Sequence, residues 1–215
     1  MDLQALRTAL RQLAIYLLVV LLLQACNKAV ETKVPYYNTP DLTPAWQQGA
    51  GKHTIADFSF TDQDGKTVTN DVYDGKIYVA NFFFTTCPGI CPKMNANMQL
   101  VADAFKDNDR VMFLSHSVTP DIDTVQQLKE YADAHHIDSK QWHLVTGNKS
   151  TIYDIARTSY FVEDAVGLSY DSTDFLHTER FVLVDKDKHI RGVYNGTVTL
   201  EMERLTDDIK LLLKE

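Results

Sequence analysis

The chain has 215 residues, 45% hydrophobic and 23% charged, a composition that suits one globular domain with short appendages and not two cores. Its formal net charge is -8, and setting aside residues 1–25, with Asp2, Arg7 and Arg11, leaves 19 basic against 28 acidic residues. An acidic body of this kind repels phosphate backbones, so no nucleic-acid partner is expected.

The first element in chain order is a targeting segment. Arg7 and Arg11 precede an apolar run from Leu13 to Leu23, which ends in Gln24-Ala25-Cys26. That run is about half of the roughly 20 residues a bilayer-spanning helix needs, so residues 1–25 read as an export signal, with a short uncleaved anchor as the alternative. The ending Leu23-Gln24-Ala25-Cys26 resembles the lipobox of bacterial lipoproteins, which implies cleavage before Cys26, acylation of that cysteine and attachment to a membrane through the lipid. Both readings put the body outside the cytoplasm. Of the three cysteines, lipidation uses Cys26 and leaves Cys87 and Cys91 as a pair, in a compartment where a disulfide is chemically permitted.

Residues 26–53 contain Pro35, Pro40 and Pro44 and no sustained apolar period, the pattern of a tether. A compact domain is expected over residues 54–215. Ile55, Phe58 and Phe60 lead into the turn signal Asp62-Gln63-Asp64-Gly65-Lys66, which predicts a hairpin. Ile77 to Phe84 is an apolar, aromatic run of buried-strand length, and Met94, Met98, Val101, Ala102 and Phe105 follow at helical spacing. A strand at Val111 to Ser115, a helix at Thr124 to Ala134, a short strand at His143 to Thr146 and a helix at Ser150 to Thr158 come next. Beyond a loop at Asp164 to Asp174, the apolar runs Phe181 to Val184 and Ile190 to Tyr194 flank the turn Asp185-Lys186-Asp187-Lys188, and a last helix covers Leu200 to Leu213. Alternating strands and helices closed by a hairpin and a helix imply an α/β sandwich around a mixed sheet.

The chemistry concentrates in Thr85-Thr86-Cys87-Pro88-Gly89-Ile90-Cys91-Pro92, where a buried strand gives way to a helix, the place where open α/β sheets put their ligands. A helix N-terminus stabilises anions, so a cysteine there carries more thiolate, the form that binds metal and attacks disulfides. Cys87 and Cys91, four residues apart, share one face of a helical turn, so the pair suits metal when reduced and a disulfide when oxidised. A purely structural disulfide would close so small a loop that it removes little chain entropy. A structural zinc site wants four protein ligands, and no further Cys or His stands at finger spacing. Two soft sulfurs select Cu(I), and a histidine nitrogen would let the site also hold Cu(II).

Seven histidines compete for that place. His135 and His136 end a helix, His143 opens a short strand and His189 lies in a charged turn, all positions expected to be solvated, while His53 falls in the tether. His116 follows a strand beside the cysteine strand and could line the same end of the sheet. His177 stands between the acidic loop and the strand at Phe181, where a mobile segment could bring it over the sulfurs. Met94 and Met98 lie one and two turns beyond Cys91, a spacing that fits core packing better than ligation.

The run from Phe83 to Pro92 resembles the signature of the Sco/SenC proteins. Further matches are Asp57 to Lys66, Ser117-Val118-Thr119-Pro120 with Asp123-Thr124, Leu144 to Gly147, and His177 ahead of Phe181 to Asp185. The resemblance covers about residues 54 to 213. It implies a thioredoxin-like fold with an N-terminal β-hairpin and an inserted loop before the C-terminal hairpin. It implies one copper ion held by Cys87, Cys91 and His177, and a respiratory oxidase copper-centre subunit, or another copper protein, as partner. Leu176 replaces a frequent Asp before the ligand histidine, Thr119 another frequent Asp, and Val125 a frequent Pro. A thiol-disulfide oxidoreductase that keeps a partner's cysteines reduced is the alternative, although no proline stands before the closing hairpin where thioredoxin-like oxidoreductases carry a cis one. A thiol peroxidase is the weakest reading, since Cys91 would trap Cys87.

Overall fold

Two neighbouring strands that are buried along their whole length organise the molecule. The computed structural model describes residues 4, 7, 11–13, 16, 33–46, 53–162 and 178–215. In chain order its strands are β1 (Tyr36–Tyr37), β2 (Pro44–Ala45), β3 (Ser59–Asp62), β4 (Thr67–Thr69), β5 (Ile77–Phe83), β6 (Val111–Ser117), β7 (Trp142–Thr146), β8 (Arg180–Val184) and β9 (Ile190–Asn195). Its helices of two turns or more are α1 (Cys91–Ala104), α2 (Val125–Ala134), α3 (Lys149–Thr158) and α4 (Thr199–Leu212). Strands β5 and β6 run parallel from Ile77 opposite Val111 to Phe83 opposite Ser117, and no residue of either reaches solvent freely. Such burial on both faces is why the sequence reads there as an unbroken apolar run and not as an alternation.

The seven-stranded sheet has the order β4-β3-β7-β6-β5-β8-β9. Strands β5, β6 and β7 are parallel, while β3 and β8 flank them antiparallel, each continued by a hairpin partner. Side chains alternate across the sheet. Val79, Phe83, Phe113, Leu144 and Leu183 point to a core shared with Met98, Leu128 and Leu205 of α1, α2 and α4. Tyr78, Phe82, Leu114, Val145 and Val182 point to the other core, with Ile152 and Ala156 of α3. The helix that follows β5 thus packs on the face to which Phe83 points. Gly65, at φ 75°, completes the hairpin turn, where the main-chain N–H groups of Asp64 and Lys66 bond to Asp62 Oδ1 at 2.9 and 2.8 Å.

The compact unit begins at Lys33 and so includes part of the stretch expected as tether. Val34 and Tyr36 are buried, and Arg191 of β9 holds them through main-chain oxygens, with Nη2 donating to Val34 O at 2.8 Å and Nε to Pro35 O at 3.2 Å. The Arg191 guanidinium lies 4.1 Å from the Tyr36 ring centre and pairs with Asp185 at 2.9 Å and Glu215 at 2.8 Å. Among the described residues no helix is long and apolar enough to cross a membrane. The signal at residues 1–25 and the lipidation site Cys26 otherwise fall outside the described residues.

Candidate metal centre

Strand β5 ends at Phe83, and the chain makes one open turn before α1 begins at Cys91. Pro92 in the first turn suits a helix start because its missing N–H would have no partner there. The N-cap residue is Ile90, whose side chain cannot accept a hydrogen bond, so the orphan N–H groups of this end need another acceptor. The Cys87 sulfur lies beside this end, where the main-chain N–H groups of Cys91, Gly89 and Ile90 favour its thiolate.

The two thiols are free and largely buried, and they differ in acidity. Burial opposes ionisation of Cys87, but the hydrogen bonds from the Cys91 side chain and from the main-chain N–H groups outweigh it and bring its pKa below the ordinary thiol value. Cys91 lies deeper. Burial first, and then the neighbouring Cys87 sulfur, push its pKa up to about 12. Cys87 is therefore the more readily ionised of the two, and burial holds the proton on Cys91.

A cavity of about 480 Å³ opens beside Cys87, lined by Phe84, Pro88, Ile90, Thr178 and Glu179. Glu179 is held there by Asn195, whose Nδ2 donates to Glu179 Oε2 at 2.7 Å. Strand β8 delivers these residues to the site, because Ala80 pairs with Val182 and continuing that antiparallel register sets Thr178 level with Phe84. His177, the third expected ligand, and the loop Asp164 to Asp174 lie outside the described residues. Among the described residues no cluster of three or more His, Cys, Asp and Glu is arranged to hold a metal.

His116 is not beside the cysteines. It pairs with Phe82 in the β5–β6 register and shares that residue's face, whereas the cysteines belong to the core on Phe83's side. It is 0% exposed, stacked 4.8 Å from Phe82 and edge-on to Phe60 at 5.4 Å and Tyr160 at 5.5 Å. Neither ring nitrogen has a partner of good hydrogen-bond geometry among the described residues. Burial brings its pKa down to about 3, and the opposing pull of the Asn81 main chain is the smaller effect.

Other expectations for the histidines also change. His143 is buried, with Nδ1 at 2.8 Å from Tyr73 Oη. His53 is docked with Nε2 at 2.7 Å from Ser159 O, its ring 4.3 Å from that of Phe161. Met94 and Met98 are core side chains, as their spacing suggests. Two groups near the pair had no periodic signal in the sequence. Asp123 anchors the turn before Cys87 through Thr85, and Tyr131 of α2 stands 5.5 Å from Phe83. Burial, and then the charges of Cys91, Cys87 and Asp123, raise the Tyr131 pKa, so these groups share one electrostatic neighbourhood.

Comparison with known proteins identifies relatives of this chain. The "SCO1 protein homolog" of Bacillus subtilis (strain 168) is 31% identical over 160 residues, 74% of this chain and 82% of that protein. A SCO1/SenC family lipoprotein from Bacillus anthracis str. Ames superposes with a TM-score of 0.66 at 29% identity, covering 79% of this chain and 99% of that one. BsSco, described as having a disulfide switch and as a member of the Sco family of cytochrome c oxidase assembly proteins, gives 0.63 at 30% identity over 74% and 92%. Bradyrhizobium japonicum ScoI, solved with copper bound, gives 0.58 at 29% identity over 74% and 99%. These neighbours share the thioredoxin-like α/β fold that the sequence implied. The sequence model of SCO1/SenC matches residues 47–214, and the chain belongs to that family.

Proposed function

We propose that this protein is an extracytoplasmic copper-binding assembly factor for a respiratory oxidase copper centre, anchored to a membrane by a lipid on Cys26. In this reading Cys87, Cys91 and His177 hold one copper ion, and Cys87 and Cys91 close a reversible disulfide when the metal is absent. The observation that carries it is the pair of unequal sulfurs at the start of α1, with Cys87 beside a cavity that Thr178 also lines. Thr178, the next residue in the chain after His177, lines that cavity, which supports His177 as the third ligand. Two soft sulfurs fit Cu(I), and a nitrogen donor extends the fit to Cu(II). The copper held by a relative of 29% identity supports the choice of metal.

The test is titration of the reduced chain with Cu(I) and Cu(II), repeated with Cys87→Ser, Cys91→Ser and His177→Ala. One ion per chain is expected, lost in either cysteine variant because binding requires thiolates. His177→Ala should weaken Cu(II) binding strongly and shift its thiolate charge-transfer absorption, with a smaller loss for Cu(I). An unchanged Cu(II) spectrum in that variant sinks the three-ligand site.

A second reading, a reductase dedicated to one partner's metal-binding cysteines, is favoured by the same inequality. A thiolate-prone Cys87 beside a proton-retaining Cys91 is the arrangement of an attacking and a resolving thiol. Reduction of a dicysteine copper-site peptide by the copper-free chain, at a rate unaffected by His177→Ala, would select it.

A further inference from the structure

Asp123 lies between β6 and α2 and is 0% exposed. Among the described residues its partners are all neutral donors. Thr85 Oγ1 donates to Oδ1 at 2.6 Å and the Thr85 N–H approaches both oxygens at 3.3 and 3.4 Å. Ser117 Oγ and Thr119 Oγ1 donate to Oδ2 at 2.5 and 3.0 Å. A buried carboxylate is costly unless its lone pairs are filled, and here two separate chain crossings fill them. One crossing, through Ser117 and Thr119, leaves β6. The other, through Thr85, leaves β5 two residues before Cys87. Val118 N donates to Phe83 O at 2.9 Å and continues the same zipper. The turn that presents Cys87 to the start of α1 is therefore tied to the neighbouring strand by one side chain.

We propose that Asp123 is a positioning residue for the cysteine pair: acting through Thr85, its carboxylate holds Cys87 where its sulfur meets that of Cys91, and so sets how readily the two close a disulfide. The inference rests on the redox pair of the proposed function. With a small-molecule disulfide as oxidant, the Cys87 thiolate attacks one of its sulfurs, a mixed disulfide forms and the first external thiolate leaves. Cys91 then attacks the Cys87 sulfur, its proton passing to the second departing thiolate, so one external thiolate and one external thiol are released for one internal disulfide. Loosening Thr85 lowers the effective concentration of Cys91 at the second step and destabilises the internal disulfide.

The full chain in detergent, equilibrated with glutathione buffers of graded redox ratio and quenched with a thiol-alkylating mass tag, gives the disulfide equilibrium constant. Thr85→Val keeps the shape and removes only the hydroxyl, and Asp123→Asn removes the charge. Tyr73→Phe serves as control, since it deletes a buried hydrogen bond to His143 away from the pair. Thr85→Val should lower the constant about tenfold, which for a two-electron couple is roughly 30 mV, and Asp123→Asn should move it the same way. Tyr73→Phe should leave it unchanged whatever it does to stability. A wild type that forms the disulfide, with Thr85→Val and Asp123→Asn indistinguishable from it, would overturn the inference and leave the redox pair standing. A wild type that forms none would remove both.

Discussion

Replacing His116 by phenylalanine should make the protein less sensitive to acid, by an amount that follows from the ring's surroundings. In the folded chain burial among Phe60, Phe82 and Tyr160 lowers its pKa from 6.5 to about 3. Unfolding restores the ordinary value, so below 6.5 the unfolded chain binds a proton that the folded chain refuses. Stability from this group is whole above that pH, falls as pH drops, and levels off near the folded value. Between pH 7 and pH 4.5 the linkage removes about 2.5 kcal/mol. Urea unfolding of wild type and His116→Phe at both pH values measures it. Any packing offset introduced by the phenylalanine cancels when each protein is compared with itself. Parallel losses in the two proteins would show that the imidazole is not held neutral, and would refute the reasoning.

Three further outcomes are expected. Iodoacetamide at pH 8 should modify Cys87 well before Cys91, because hydrogen bonds favour the first thiolate and burial pushes the second thiol up to about 12; equal rates in single-cysteine variants would contradict this. Arg191→Met should destabilise the fold by about 3 kcal/mol, the usual cost of leaving a buried carboxylate without its partner, here Asp185, and a change in the urea midpoint worth under about 0.5 kcal/mol would count against that ion pair. Cys26→Ala should abolish lipid labelling and move the chain from the detergent phase to the aqueous phase, and unaltered partitioning would remove the lipobox reading.

The sequence announced the elements more clearly than it announced the faces. Strands β5 and β6 were legible because burial on both sides demands an apolar residue at every step, and the hairpins because Asp and Gly mark their turns. For the same reason a run apolar on both faces does not reveal which face receives the next helix. His116 was therefore compatible with the cysteine side until the alternation of Phe82 and Phe83 was anchored in space. The docking of Val34 and Pro35 is not legible in the sequence because Arg191 grips main-chain carbonyls, which leave no mark in a side-chain pattern. Asp123 stands in the sequence among the residues that carry the family resemblance, but its tie to the cysteine turn emerges only when Thr85, 38 positions earlier, is brought against it. The cysteine pair was the clearest site signal, since its position depends only on where a strand ends and a helix starts.

On the proposed lipid anchor, the docking of the segment that begins at Lys33 would shorten the chain's reach from a membrane. With a lipid on Cys26, only seven residue steps separate the anchor from Lys33, which is at most about 25 Å of extended chain. A free tether running to His53 would allow nearly four times that reach. Arg191 fastens the segment near Ile77, at the start of β5, whereas Cys87 follows the strand's other end, about 20 Å further on at the usual rise per residue. The leash is short and the business end is remote from it. A molecule so anchored would patrol a thin layer over the bilayer, where a confined pair of reactants meets far more often than the same number free in the surrounding volume. Lengthening the leash by inserting residues before Lys33 would dilute that encounter without touching a single atom of the metal centre.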